Sequence, residues 1–186
     1  VLKAKKMQKT IKYTIFKTKW GYFGLAATDN GLLRTCLPLA ERKKVESQLL
    51  RYFPSAQYDK DLFKTAQKQI TAYFEGDCIN FRDIPVVLDG LGLFARRVLT
   101  ACRDIEFGRT LSYGRLAEMA GNSAAARAVG GVLAKNPLPL IIPCHRVIRT
   151  NGSLGGFSAT GGIRTKAKLI DLEKQGLDSK SAVSRV

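Results

Sequence analysis

SYGRLAEMAGNSAAARAVGGVLAK, residues 112–135, runs directly into NPLPLIIPCHRVI, residues 136–148. In the first string Ser112 is placed to cap a short helix, Tyr113–Ala120, which Gly121 stops. A second helix begins at Asn122 or Ser123 and continues to about Lys135, where Asn136-Pro137 closes it. Two short helices joined by a glycine-containing turn form the helix-turn-helix pattern, a pairing that core helices also adopt. On the second helix Ala125, Ala126, Val129, Val132 and Leu133 share one side, while Arg127, Gly130, Gly131 and Ala134 share roughly the other. Two glycines inside a helix cost about 1 kcal/mol each relative to alanine, so their bareness needs a reason. Tight helix packing is one reason. A smooth outer strip that a polyanionic backbone can approach closely, with Arg127 as its projecting cation, is the one favoured here.

The second string reads as a short buried strand through Leu138–Ile142, ended by Pro143, with Cys144 and His145 where it emerges. A thiol is a nucleophile only as thiolate, and an imidazole, helix N-termini and a basic field all favour that form. Neighbours on a straight strand point to opposite faces, so contact between Cys144 and His145 needs a turn or a bridging water. An isolated Cys-His pair reads first as an inert buried cysteine beside a hydrogen-bonded histidine.

The charge around these strings is lopsided. The 186 residues carry 31 Lys or Arg against 15 Asp or Glu, a net charge of +16. From Met119 to Ile170 there is no carboxylate, yet Arg127, Lys135, Arg146, Arg149, Arg164, Lys166 and Lys168 all fall there. Such a surface suits phosphate, whose neutralisation releases counterions, better than it suits water alone. No run reaches the roughly 18 apolar residues of a membrane span, and VLKAKKMQKTIKY at the amino end lacks the apolar core of a signal peptide. The expectation is a soluble, cytoplasmic protein with no membrane partner. Cys36, Cys78, Cys102 and Cys144 form no CxxC pair, and His145 is the only histidine, so no metal site and no cofactor are expected. Reduced cysteines, at most one of them reactive, fit an intracellular chain.

Residues 1–90 read as a small α/β unit. Ile11–Phe16, Tyr22–Ala27 and Leu32–Leu37 are strands, the last two joined at Asn30-Gly31, a hairpin signal. Helices follow over Ala40–Tyr52, with Val45, Leu49 and Tyr52 on its apolar stripe, and over Leu62–Phe74, stopped at Gly76. A further strand is predicted at Ile84–Leu88, then a linker near Asp89–Gly92. Residues 91–186 open with a helix, Phe94–Ile105, ahead of the paired helices, and close on a loop-rich end.

SYGRLAEMAGN, AARAVGGVLAKNPLPLIIPCHRV, NGSLGGFS and KAKLIDLE together resemble the O6-alkylguanine-DNA alkyltransferase family, the methylated-DNA–protein-cysteine methyltransferases, over Phe94–Gly176. The resemblance implies an α+β fold, a ribonuclease-H-like amino domain before a mostly helical, winged-helix-like carboxy domain. Its amino domain holds zinc in some members; with no histidine before position 145, none is expected here. It implies a monomer acting on double-stranded DNA that contains O6-alkylguanine, with O4-alkylthymine as a possible second substrate. One alkyl group is transferred irreversibly to Cys144 per molecule after base flipping. Related proteins that bind such lesions without reaction carry tryptophan in place of the cysteine; a non-reactive sensor or a helix-turn-helix transcription regulator is the alternative.

Roles follow position by position from the resemblance. Cys144 is the acceptor, His145 its base through a water, Glu173 the residue that orients His145, Tyr113 a proton donor to guanine N3, and Asn136 the brace of the preceding turn. Arg127 is the finger that fills the vacated stack, with Ala126, Gly130, Gly131, Tyr113, Ser123 and Lys135 also meeting DNA. Tyr113, Leu133, Pro139, Cys144, Val147, Gly155, Phe157 and Ser158 form the base pocket. Three departures stand out: Phe157 where many members have tyrosine, a slightly long run between Ser158 and Glu173, and LDGLGLF without the usual Gly-Thr.

Overall fold

The computed structural model describes residues 10–183, the last four as helical backbone alone. Strands β1 (Lys12–Thr18), β2 (Gly21–Thr28) and β3 (Gly31–Leu39) form an antiparallel meander, and β4 (Gln57–Tyr58) joins parallel to β1, giving the order β3-β2-β1-β4. The β2–β3 turn requires glycine: Gly31 sits at φ +140°, and a β-carbon there would come within 2.7 Å of the Pro85 backbone. Both faces of the sheet are covered, which is why β2 reads as a nearly continuous apolar run. Tyr13, Ile15, Ala26 and Cys36 pack under Val45 and Leu49 of α1 (Arg42–Tyr52). Phe23, Leu25, Ala27, Leu32 and Leu37 face the other way, against Ile70, Tyr73 and Phe74 of α2 (Lys64–Glu75) and the carboxy-half core.

The carboxy half supplies α3 (Leu93–Arg103), α4 (Tyr113–Met119), α5 (Ala126–Ala134) and α6 (Gly162–Val183), with two parallel β pairs between β5 (Leu111–Ser112) and β6 (Val147–Ile148). Val98, Leu99, Cys102, Leu116, Val129 and Leu133 from α3–α5 join one continuous core with the sheet's inner face. The architecture is α+β, with the sheet in the first half and the helix-turn-helix pair α4–α5 in the second.

Several sequence expectations need correction. Ile84–Leu88 is not a strand: Pro85 has no N–H, and the segment makes only an isolated bridge, Leu32 to Val86. Leu138–Ile142 is a turn instead of a buried strand. Leu140 lies at φ +80° and the Ile142 N–H donates to the Leu138 carbonyl at 2.8 Å, while Pro139 within the segment and Pro137 and Pro143 flanking it remove ladder donors. The second helix of the pair starts at Ala126, not Asn122 or Ser123, because the Asn122 side chain accepts the Ala124 N–H at 3.2 Å and holds the connection as a turn. Tyr52 is 55% exposed and off the buried stripe, with the Arg34 guanidinium 3.4 Å from its ring centre. The carboxy end is helical, not loop-rich: α6 has 22 residues, and its buried positions Lys166, Leu169, Ile170, Glu173 and Gly176 recur at helical spacing. Two of those five are charged, which masks the apolar stripe that announces a helix.

Candidate active site

The turn before Cys144 is built by Asn136. Its side-chain oxygen accepts the Leu138 N–H at 3.0 Å, and its amide nitrogen reaches the Ile142 carbonyl at 2.9 Å and Cys144 Sγ at 3.1 Å. From the amino half, Thr35 on β3 grips the same turn: its N–H donates to the Pro137 carbonyl at 3.0 Å and its hydroxyl to the Pro139 carbonyl at 2.7 Å. Between these grips Leu140 is held left-handed, a conformation that costs a β-carbon-bearing residue about 1–2 kcal/mol. Cys144, His145 and Arg146 then form one turn of 3₁₀-helix, so the two reactive neighbours do not alternate as they would on a strand.

Behind the thiol lies a buried carboxylate with five donors. Glu173 accepts from His145 Nε2 at 2.7 Å, the Tyr73 hydroxyl at 2.7 Å, the Gly108 N–H at 2.9 Å, and Arg146 Nε and a terminal guanidinium nitrogen at 2.9–3.1 Å. Burial pushes this carboxyl up, but the hydrogen bonds and charges of His145 and Arg146 outweigh it and hold the pKa at about 2. An ionised carboxylate only accepts, so the proton shared with His145 sits on Nε2 and Nδ1 is left as a base. Nδ1 is buried and has no protein partner among the described residues.

Burial lowers the His145 pKa against the pull of Glu173, and burial raises that of the Cys144 thiol against the Asn136 hydrogen bond and the Lys166 charge. The resting pair is therefore neutral thiol and neutral imidazole. Lys166 is fully buried, donates to the Val147 carbonyl, and stands 5.7 Å from the centre of the Tyr113 ring. The sequence reading placed Arg146 and Lys166 on a phosphate-facing surface. Both are buried instead, Arg146 on Glu173 and the Ile105 carbonyl, Lys166 beside the thiol. Their signal was the spacing Lys166–Glu173, two helical turns on the face that meets the 3₁₀ turn.

Cys144 opens into a cavity of about 600 Å³ whose walls include Tyr113, Arg127, Gly130, Leu133, Gly155, Phe157 and Ser158. Ala126 lines it too, so nine of the predicted site residues converge on it, counting Cys144. Pro139 and Lys135 line a neighbouring cleft instead, Val147 is fully buried, and Ser123 is exposed on the turn before α5. Gly155 must be glycine: φ is +68° and a β-carbon would lie 3.0 Å from the Tyr113 hydroxyl. Gly131 contrasts with it, since a β-carbon there would meet nothing within 4 Å. Helix packing therefore does not explain the Gly-Gly step. Burial raises the pKa of Tyr113, which keeps its hydroxyl a donor. Among the described residues no group of His, Cys, Asp and Glu is gathered that could hold a metal ion, and no helix is long and apolar enough to cross a membrane.

Fold and site together define a protein that presents one cysteine, backed by a histidine–carboxylate pair, at the foot of a helix-turn-helix. The profile of the 6-O-methylguanine DNA methyltransferase DNA-binding domain matches residues 93–175, and that of the ribonuclease-like domain of the same proteins matches residues 11–88. A methylated-DNA–protein-cysteine methyltransferase of Methanosarcina acetivorans is 35% identical over 161 residues, 87% of this chain and 97% of the relative. One from Mycobacterium tuberculosis is 43% identical over 116 residues, 62% of this chain and 68% of the relative. The crystal structure of the O6-methylguanine methyltransferase of M. tuberculosis superposes with a TM-score of 0.71 at 32% identity, covering 89% of this chain and 94% of that one. The same protein solved in complex with DNA gives 0.73 at 34% identity, with 89% and 94% covered. The chain belongs to the methylated-DNA–protein-cysteine methyltransferase family.

Proposed function

We propose that this protein repairs O6-alkylguanine in duplex DNA by moving the alkyl group onto Cys144, once per molecule. The observation that carries the reading is the position of Cys144 on the wall of a cavity beneath α5 roomy enough for a base, with His145 and Glu173 directly behind it. His145 Nδ1, through a water, takes the thiol proton, and the Glu173 carboxylate stabilises the imidazolium that results. The S–C bond forms as the C–O6 bond breaks, and the electron pair departs with guanine. Tyr113 gives its proton to the departing base at N3 and regains one, through solvent, from the His145 imidazolium, while the Ser158 N–H meets O6. The thioether does not hydrolyse, so no second turnover follows.

Reaching this cavity requires the nucleotide to leave the stack, at a cost of a few kcal/mol. Arg127, exposed at the cavity rim, fills the gap, and the bare strip of Gly130 and Gly131 lets α5 approach the minor groove. Residues 91–186 thus bind DNA and accept the alkyl group, while residues 1–90 brace the site. The setting implied is a cytoplasmic monomer. The test is incubation with a duplex bearing one O6-methylguanine, followed by intact-mass and peptide analysis. One methyl gained on the Cys144 peptide, and none in Cys144→Ala, is the expected result; an unmodified protein bound to unchanged DNA overturns it in favour of a lesion sensor.

A further inference from the structure

Cys144 is reached from two sides. A second cleft, of about 460 Å³, opens on the same residue, and Leu133, Ala134, Cys144 and Ser158 belong to both spaces. The amino half builds its far wall with Arg34 of β3 and with Gln48, Arg51 and Tyr52 of α1. Arg34, Arg51 and Lys135 line it and no carboxylate does. None of the three forms an ion pair among the described residues. Arg34 is half-buried, and burial lowers its pKa with only the Tyr52 phenol and the Cys36 thiol opposing. Cations left uncompensated in a recess favour an anion there.

The proposed function fixes how such an anion would arrive, and the role of the cleft rests on that function. With guanine in the cavity beneath α5, in-line displacement puts sulfur and O6 on opposite sides of the reacting carbon. Anything attached beyond that carbon must project sideways, and the open space beside Sγ is the second cleft. We infer that this cleft receives the distal part of the alkyl adduct and, through Arg34 and Arg51, selects adducts that end in a carboxylate. The transfer itself is unchanged: S–C forms, C–O6 breaks, guanine takes up a proton, and the carboxylate stays on the thioether.

Single-turnover rates of the full chain test this with O6-(carboxypropyl)guanine and its carboxamide twin, O6-(carbamoylpropyl)guanine. Each is offered both as free base and within a duplex, with O6-methylguanine duplex as the reference. The unmodified protein should react roughly tenfold faster with the acid than with the amide in both formats, one charged hydrogen bond's worth of discrimination. Arg34→Gln and Arg51→Gln should each pull that ratio toward one and leave methyl transfer intact. Arg51 is exposed at the end of α1, so its variant keeps the fold even if that of Arg34 does not. Equal rates for acid and amide overturn the inference. So do variants that slow every duplex substrate alike while sparing free bases, because the cleft would then hold a DNA phosphate. Failure of O6-methylguanine itself to react strikes the proposed function instead.

Discussion

Cys144 carries a thiol that its surroundings keep protonated until an acceptor is needed. Burial holds this thiol above its ordinary range and the His145 imidazole below its own, so both groups are neutral around neutral pH. The single-turnover rate should accordingly be flat across neutral pH, with its acid limb displaced below the ordinary imidazole range; stopped-flow or quench measurements that find a midpoint near neutrality contradict the neutral resting pair. Glu173→Gln tests the same relay from behind. A neutral amide offers Nε2 no anion and leaves Arg146 buried beside an uncharged partner, a loss that buried pairs make worth about 3–5 kcal/mol. Methyl transfer should fall by at least tenfold, and thermal unfolding should show the stability loss. Retention of both would mean that the carboxylate is ornamental. Of this residue-scale picture the Cys-His pair was legible, since IPCHRV names both residues. The buried cations were not, because Arg146 and Lys166 look in sequence like any other members of a basic stretch.

Helices and turns give the site its shape, and here sequence patterns succeeded or failed for identifiable reasons. Hairpin and cap signals at Gly31, Ser112 and Gly76 worked because each is a local rule satisfied locally, as in the Arg115 N–H donated to the Ser112 hydroxyl at 3.1 Å. The turn 136–143 was misread because its conformation is set by side-chain bonds, from Asn136 within it and from Thr35, which lies about a hundred residues away in sequence. Thr35→Val keeps the side chain's volume and removes the hydroxyl bond to Pro139. It should cost about 1–2 kcal/mol in stability and slow methyl transfer more than it weakens DNA binding, which rate and affinity measured side by side would separate. Gly131→Ala makes the opposite trade. The added methyl meets no neighbour, so the helix should gain about 0.5–1 kcal/mol, while duplex affinity falls and reaction with free O6-alkylguanine is unaffected. Unchanged duplex affinity would place the Gly-Gly strip away from DNA.

At the scale of the whole molecule, one buried carboxylate ties the halves together. Glu173 on α6 takes the Tyr73 hydroxyl from α2 in the amino half, and a β-carbon on Gly176 would run into the Gly76 carbonyl at the same seam. The core is likewise continuous across it, from Phe23 and Leu25 of the sheet to Leu116 and Leu169. The halves should therefore unfold together. Trp20, the single tryptophan, packs on Phe74 at 5.2 Å and shares a cleft with Lys168 and Leu172 of α6, so it reports on the seam, whereas most of the helical far-UV signal comes from the carboxy half. Denaturant curves from the two probes should coincide, and separated midpoints would break the argument. Acid should act through the same seam. The folded pKa of Glu173 is depressed from 4.5 to about 2, so its contribution is complete above pH 4.5 and is lost as the pH falls toward 2. Tyr73→Phe removes one donor to that carboxylate and should raise the midpoint of acid unfolding, with both probes moving together. If only the tryptophan signal moved, Glu173 would be bracing the surroundings of Trp20 alone and the seam would not transmit to the carboxy-half helices.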